Sequence, residues 1–175
     1  MKTLVRIIII SFSIIMMGCD PIYTMYFANQ SSVTVHAVVN YIVPYPDTSL
    51  PKTPSVSDLI PIKAGDTIPL LEDLGCSEEL VFDVVTDGVP TTPLDTVSIY
   101  IIGADTVALY SWDTVAKYNM YLQRYDLSLS DLEGLRSCRC SSTLFFPPTE
   151  DMKHIHMWPP YGTYDEHGHR KDKKR

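Results

Sequence analysis

Positive charge is scarce in this 175-residue chain. Residues 19 to 169 hold seven Lys and Arg against twenty Asp and Glu, and the other bases are Lys2, Arg6 and a terminal cluster at Arg170, Lys171, Lys173, Lys174 and Arg175. An acidic body with no basic stripe excludes nucleic acid as an expected partner, since phosphate contacts need Lys and Arg along one face. Glycine is also sparse, at eight residues, and no Gly-rich phosphate loop, Gly-x-Ser-x-Gly elbow or His-Glu-x-x-His motif occurs. The enzyme classes that carry those signatures are excluded, and we expect no catalysis and no cofactor. Ile7–Met17 is the longest apolar stretch, and Cys19-Asp20-Pro21 closes it too early for a membrane-spanning helix. No internal repeat is present, and the length suits one domain.

The apolar stretch has a different reading. Lys2 and Arg6 precede it and Gly18 follows, which is the pattern of a secretory signal peptide over residues 1–18. Met16-Met17-Gly18-Cys19 resembles a bacterial lipobox, and the resemblance implies that Cys19 is acylated, for example with palmitate, and becomes the new N-terminus. Membrane lipid is then the first partner, with each buried methylene contributing roughly 0.8 kcal/mol. Three cysteines remain, Cys76, Cys138 and Cys140, in an oxidising compartment where disulfides persist. The arithmetic favours Cys76 paired with either Cys138 or Cys140. A zinc site on Cys138-x-Cys140 plus Cys76 is the sharper alternative.

Residues 19–30 read as a short lipidated tether. Val33–Tyr41 alternates apolar and polar residues with many β-branched side chains, which predicts a strand. A proline-punctuated loop follows from Val43 to Pro54. Ile60–Leu70 reads as strand, tight turn at Ala64-Gly65-Asp66, and strand. Leu80–Val85 is a further short strand, and Thr96–Ile102 is the most hydrophobic one, expected at a sheet centre. Thr106–Tyr110 is expected to return beside it. Two helices are predicted, one capped by Ser111 or Asp113 and running to about Asn119, the other opened by Ser128 with Asp131 as a capping box. Met120–Leu127 between them looks extended, and Thr143–Phe146 reads as the last strand, stopped by Pro147-Pro148.

Short strands at near-regular spacing predict a mainly β fold: an antiparallel β-sandwich, immunoglobulin- or transthyretin-like, over residues 31–148, with two short α-helices in its C-terminal half. Residues 149–175 are expected to form a Pro-, aromatic- and His-containing segment with a basic tail, partly disordered. The stretch from Ser98 to Pro148, and above all Gln123-Arg124-Tyr125-Asp126-Leu127-Ser128-Leu129-Ser130-Asp131-Leu132, resembles a group of small cell-envelope lipoproteins of Bacteroidetes with no assigned activity. Surface export in that phylum uses several acids just after the lipidated cysteine, whereas here Asp20 stands alone before Pro21-Ile22-Tyr23-Thr24. The resemblance therefore implies the outer membrane, with the periplasmic face preferred to surface display.

The candidate sites are few. His154 and His156 are spaced i,i+2, which on a strand places two imidazoles on one face as zinc requires, with Asp151 or Glu166 as a third ligand. Trp158, Tyr161 and Tyr164 concentrate aromatics beside prolines; exposed, they can stack on a sugar ring or a partner groove, and folded back, Trp158 covers an edge of the sandwich. The second fate is the commoner one. Arg124 and Asp126 share a strand face and read as an ion pair that orders the strand-to-helix corner. The leading expectation is a lipid-anchored envelope protein with a non-catalytic binding, assembly or structural role toward an envelope protein or glycan. The alternatives are a metal-binding protein or metal-dependent hydrolase using His154 and His156, and a fimbria-like subunit.

Overall fold

A computed structural model describes residues 22–40, 50, 59, 61–74, 85–86, 89–90, 96–138 and 140–171. The signal peptide, Cys19, Cys76, the proline-punctuated loop but for Leu50, most of the expected Leu80–Val85 strand and the last four residues lie outside them. The strands are β1 (Ile22–Asn29), β2 (Val35–Asn40), β3 (Thr67–Leu74), β4 (Val85–Thr86), β5 (Val89–Pro90), β6 (Val97–Gly103), β7 (Gln123–Leu127), β8 (Arg136–Cys138), β9 (Ser141–Phe146) and β10 (His156–Trp158). Three short helices, α1 (Ala104–Leu109), α2 (Trp112–Lys117) and α3 (Leu129–Gly134), lie between β6 and β8.

Two four-stranded sheets face each other, ordered β3-β1-β9-β8 and β10-β7-β6-β2, with β4 and β5 as a separate two-stranded ribbon. Among the described residues all pairings are antiparallel except β1 with β9, which run parallel. The fold is thus a mainly β sandwich with short helices. Alternation decides which side chains face inward. Tyr23, Met25 and Phe27 of β1 meet Val35 and Ala37 of β2, Val97, Ile99 and Ile101 of β6, and Tyr125 and Leu127 of β7 in one core. Each such fully buried apolar side chain contributes about 1.5–3 kcal/mol.

The second sheet is covered on its other face as well. Val38, Tyr100 and Ile102 point away from the sandwich and pack with Val115, Val107, Trp112 and Ala116 of the two helices. Burial on both faces explains why β6 reads as a continuous apolar run, and it occupies the interior position expected of it. α3 closes one end of the core through Leu132. It carries the expected capping box: Asp131 N–H donates to Ser128 Oγ at 3.3 Å, and Ser128 N–H donates to Asp131 Oδ2 at 2.8 Å.

Four sequence expectations change. Residues 22–29 of the supposed tether form β1, held between β3 and β9, so the sandwich starts within three residues of Cys19. Its partners are remote in sequence, and a local reading cannot see them. Thr106–Tyr110 does not return as a strand: both edges of β6 are taken by β2 and β7, and α1 forms instead, making three α-helices rather than two among the described residues. Phe146 does not end the last strand, because β10 adds to the edge of β7. The segment from Thr149 to Lys171 is built into the domain and is no loose tail.

Candidate functional site

The stretch Gln123–Leu127 carries two faces. Gln123, Tyr125 and Leu127 point inward, and Arg124 and Asp126 point outward, all five buried. Antiparallel register places Ser98 and His156 on either side of Asp126, and Tyr100 and Trp158 on either side of Arg124. Asp126 Oδ1 accepts Ser98 Oγ at 2.7 Å and Arg124 Nε at 2.7 Å. Arg124 Nη2 lies 2.6 Å from the same oxygen without a well-directed hydrogen bond of its own, so the guanidinium closes onto one atom. Asp126 Oδ2 accepts His156 Nδ1 at 2.8 Å. Tyr100 packs its ring 5.6 Å from the guanidinium. Burial pushes the Tyr100 and Tyr121 hydroxyls up, and the nearby Arg124 charge works against that rise.

This cluster is the expected ion pair, extended to four residues. Every oxygen of Asp126 is engaged, so its arrangement is that of a structural tie across three strands. His156 does not share a strand face with His154. His154 sits in the turn before β10, with Nε2 3.7 Å from Asp131 Oδ1, while His156 opens β10 and bonds Asp126. The two imidazoles thus serve different carboxylates, and the strand geometry assumed for the His-x-His pair does not hold. Among the described residues, no group of three or more His, Cys, Asp or Glu is placed to hold a metal ion. Cys140 is disulfide-bonded, while the side chains of Cys76 and Cys138 lie outside the described residues.

The aromatics divide. Trp158 is 63% exposed on the outer face of edge strand β10, so it does not cover the sandwich as expected. Tyr164 does that work: its ring meets Phe146 edge-on at 5.5 Å and its hydroxyl donates to the Leu122 carbonyl. Tyr161 stays 42% exposed. It borders a shallow cleft of about 250 Å³ between the Pro147-Pro148 turn, Tyr164, Asp165 and Lys171.

A network of backbone bonds holds the walls of this cleft. Gln30 N–H donates to the Phe146 carbonyl at 2.7 Å, Ser32 N–H to His167 at 2.9 Å, and Lys171 N–H to Thr163 at 2.8 Å. Gln123 Nε2 donates to the Pro159 carbonyl at 2.7 Å and ties the approach to β7. Asp165 Oδ1 accepts the backbone N–H groups of both His167 and His169 at 2.9 Å. The His169 N–H bond is the main reason that the Asp165 carboxyl is held below the usual carboxylate range, with the His167 bond and the two imidazoles acting the same way against desolvation. Gly168 has φ +81°, and a Cβ there would fall 2.5 Å from Ser31 Cβ, so both backbone and space demand glycine.

Gln30, Pro147, Asp165 and Lys171 were not among the sequence candidates. The Asp165-Glu166-His167-Gly168 run does carry a turn signature, since Asp side chains bond backbone two residues on and Gly supplies positive φ. Among the described residues, no helix is long and apolar enough to cross a membrane. No protein-family model matches the chain, and no curated protein or solved structure matches it.

Proposed function

We propose that this chain is a lipid-anchored cell-envelope protein, of the outer membrane and facing the periplasm, with a non-catalytic binding or assembly role. Its binding element is the C-terminal segment 147–171. The observation that carries this reading is the pair of exposed aromatics, Trp158 and Tyr161, on a segment otherwise bonded tightly into the sandwich. Exposed aromatic area on a preorganised frame favours association, because little side-chain freedom remains to be lost on contact. The Arg124–Asp126–His156 cluster supports the same reading, since its carboxylate is spent on holding strands together.

Anchoring at Cys19 would also orient the domain. Two residues, Asp20 and Pro21, separate Cys19 from Ile22, a reach of at most roughly 10 Å at ~3.3–3.6 Å per step. β1 then runs roughly 23 Å, at ~3.3 Å rise per residue, to Asn29. Gln30, the next residue, lines the cleft. In this reading the start of the sandwich rests near the bilayer and the cleft opens at the far pole. Lys171 lines the cleft at that pole too, several Debye lengths of ~8 Å from the headgroups.

Two measurements test the proposal. Labelled palmitate incorporation should be abolished by Cys19→Ser, and the variant should move to the soluble fraction; unchanged labelling or fractionation refutes the anchor. A photo-crosslinking residue at Tyr161 should capture a partner in intact cells, whereas one at exposed Leu109 on α1 should not. Equal capture at both positions refutes the assignment of the binding element.

A further inference from the structure

The cleft beside Tyr161 has a lining that selects among ligand chemistries. Asp165 and Glu166 supply carboxylates, Gln30 an amide, Thr149 a hydroxyl and Lys171 an ammonium. Two acids face one base, so an anionic ligand meets net repulsion. A purely apolar ligand would strip water from those groups without replacing their hydrogen bonds, a cost of roughly 1–3 kcal/mol for each group left unpaired on protein mutational scales. At about 250 Å³ the cleft is too small for a helix, whose diameter with side chains is ~10–12 Å. A polyhydroxylated ring avoids all three problems. Each hydroxyl both donates and accepts, so it answers the carboxylates and the ammonium alike. Its C–H face matches the exposed ring of Tyr161, and the Pro147-Pro148 wall is rigid before anything binds.

We propose that this cleft is a subsite for one pyranose unit of a neutral glycan, with Tyr161 as the stacking platform and Asp165 and Glu166 as hydroxyl acceptors. The assignment rests on the binding role proposed above and adds the class of partner. The bonds from the His167 and His169 N–H groups keep Asp165 ionised and fixed in direction, so the acceptor is set before the sugar arrives. A single open subsite gives weak affinity per site, on the order of millimolar for a ligand of about a dozen heavy atoms. Useful retention of a polymer would then come from many anchored copies acting together on one membrane.

The test uses the full lipidated chain in a detergent without a sugar headgroup. Tetrasaccharides of glucose, mannose and galactose are titrated separately, with a galacturonic acid tetrasaccharide as the anionic comparator, and binding is read by saturation-transfer NMR. At least one neutral tetrasaccharide should bind at millimolar concentration, and the anionic one at least tenfold more weakly. Tyr161→Ala should weaken binding at least tenfold, Tyr161→Phe should change it by less than threefold, and both variants should keep the wild-type melting temperature. No binding by any of the three neutral ligands, tighter binding of the anionic one, or full binding by Tyr161→Ala overturns the proposal. The crosslinking at Tyr161 separates the two levels. A captured polypeptide with no glycan binding overturns the glycan assignment and leaves the binding role standing, while the absence of both overturns both.

Discussion

Asp126→Ala should be among the most damaging single substitutions in this domain. Arg124 is only 2% exposed, and among the described residues its guanidinium makes its ion pair with Asp126 Oδ1. Deleting the carboxylate leaves a buried cation uncompensated, which costs about 3–5 kcal/mol in comparable pairs. Ser98 Oγ, equally enclosed, loses its acceptor at the same time. For a domain of this size each kcal/mol moves the melting temperature by about 2–4 °C, so the expected fall is about 6–20 °C. Arg124→Met should cost less, about 1–3 kcal/mol, because Asp126 keeps Ser98 and His156 as donors. The triple change Ser98→Ala, Arg124→Met, Asp126→Leu removes the three buried members together, leaves the largely exposed His156 to solvent and should recover most of the loss, since replacing a buried pair by apolar side chains is often neutral. Urea unfolding followed by tryptophan fluorescence measures all three variants. A cost below 1 kcal/mol for Asp126→Ala, or a triple variant as unstable as that single one, would show that the cluster is not the tie described here.

Three further outcomes follow from the same geometry. Gly168→Ala should destabilise the protein by more than about 1 kcal/mol, through positive φ and the clash with Ser31, and thermal melting should show it. Hydrogen exchange should then locate the damage at residues 164–170 and 30–33. Ser128→Ala removes the capping box of α3 and should cost about 1 kcal/mol, again by urea unfolding. The depressed carboxyl of Asp165 contributes stability that is complete above the ordinary aspartate value, about 3.9, and is lost as pH falls through its lowered folded value. Amide protection of His167 and His169 should therefore hold from neutral pH to about pH 5 and collapse only below about pH 4, and Asp165→Asn should weaken it throughout.

Much of the local structure was legible because its causes are local. The alternation over β2, the Gly65 turn, the Ser111 and Ser128 helix starts and the extended Gln123–Leu127 stretch each depend on residues within a few positions of one another. The turn shows how far this goes: Gly65 has φ +82° and Asp66 N–H bonds back to Lys63, while Gly65 N–H also donates to the remote Asn29 carbonyl and the two flanking segments pair with β2 and β1 instead of with each other. The ion pair of Arg124 and Asp126 was likewise readable, since i,i+2 spacing on a strand puts both on one face. The lipobox resemblance at Met16–Cys19 and the expected signal peptide before it rest on the same kind of short-range pattern.

Non-local pairing set the rest. Tyr23, Met25 and Phe27 alternate as a strand should, yet nothing near them reveals that β3 and β9 wait on either side. The same holds for Thr106–Tyr110, whose fate as a helix follows from β6 having both edges filled. Trp158, Tyr161 and Tyr164 look equivalent along the chain. Pairing of β10 with β7 turns the first outward, and the clamp of residues 164–170 onto Ser31 and Phe146 pulls the third inward. Composition and short-range spacing carry the turns and the caps, because those depend on backbone preferences that neighbours supply. Which aromatic meets solvent and which carboxylate lines a cleft depend on contacts between remote segments, from β10 on β7 to Ser32 on His167, and chain segments acquire those only when the sandwich closes.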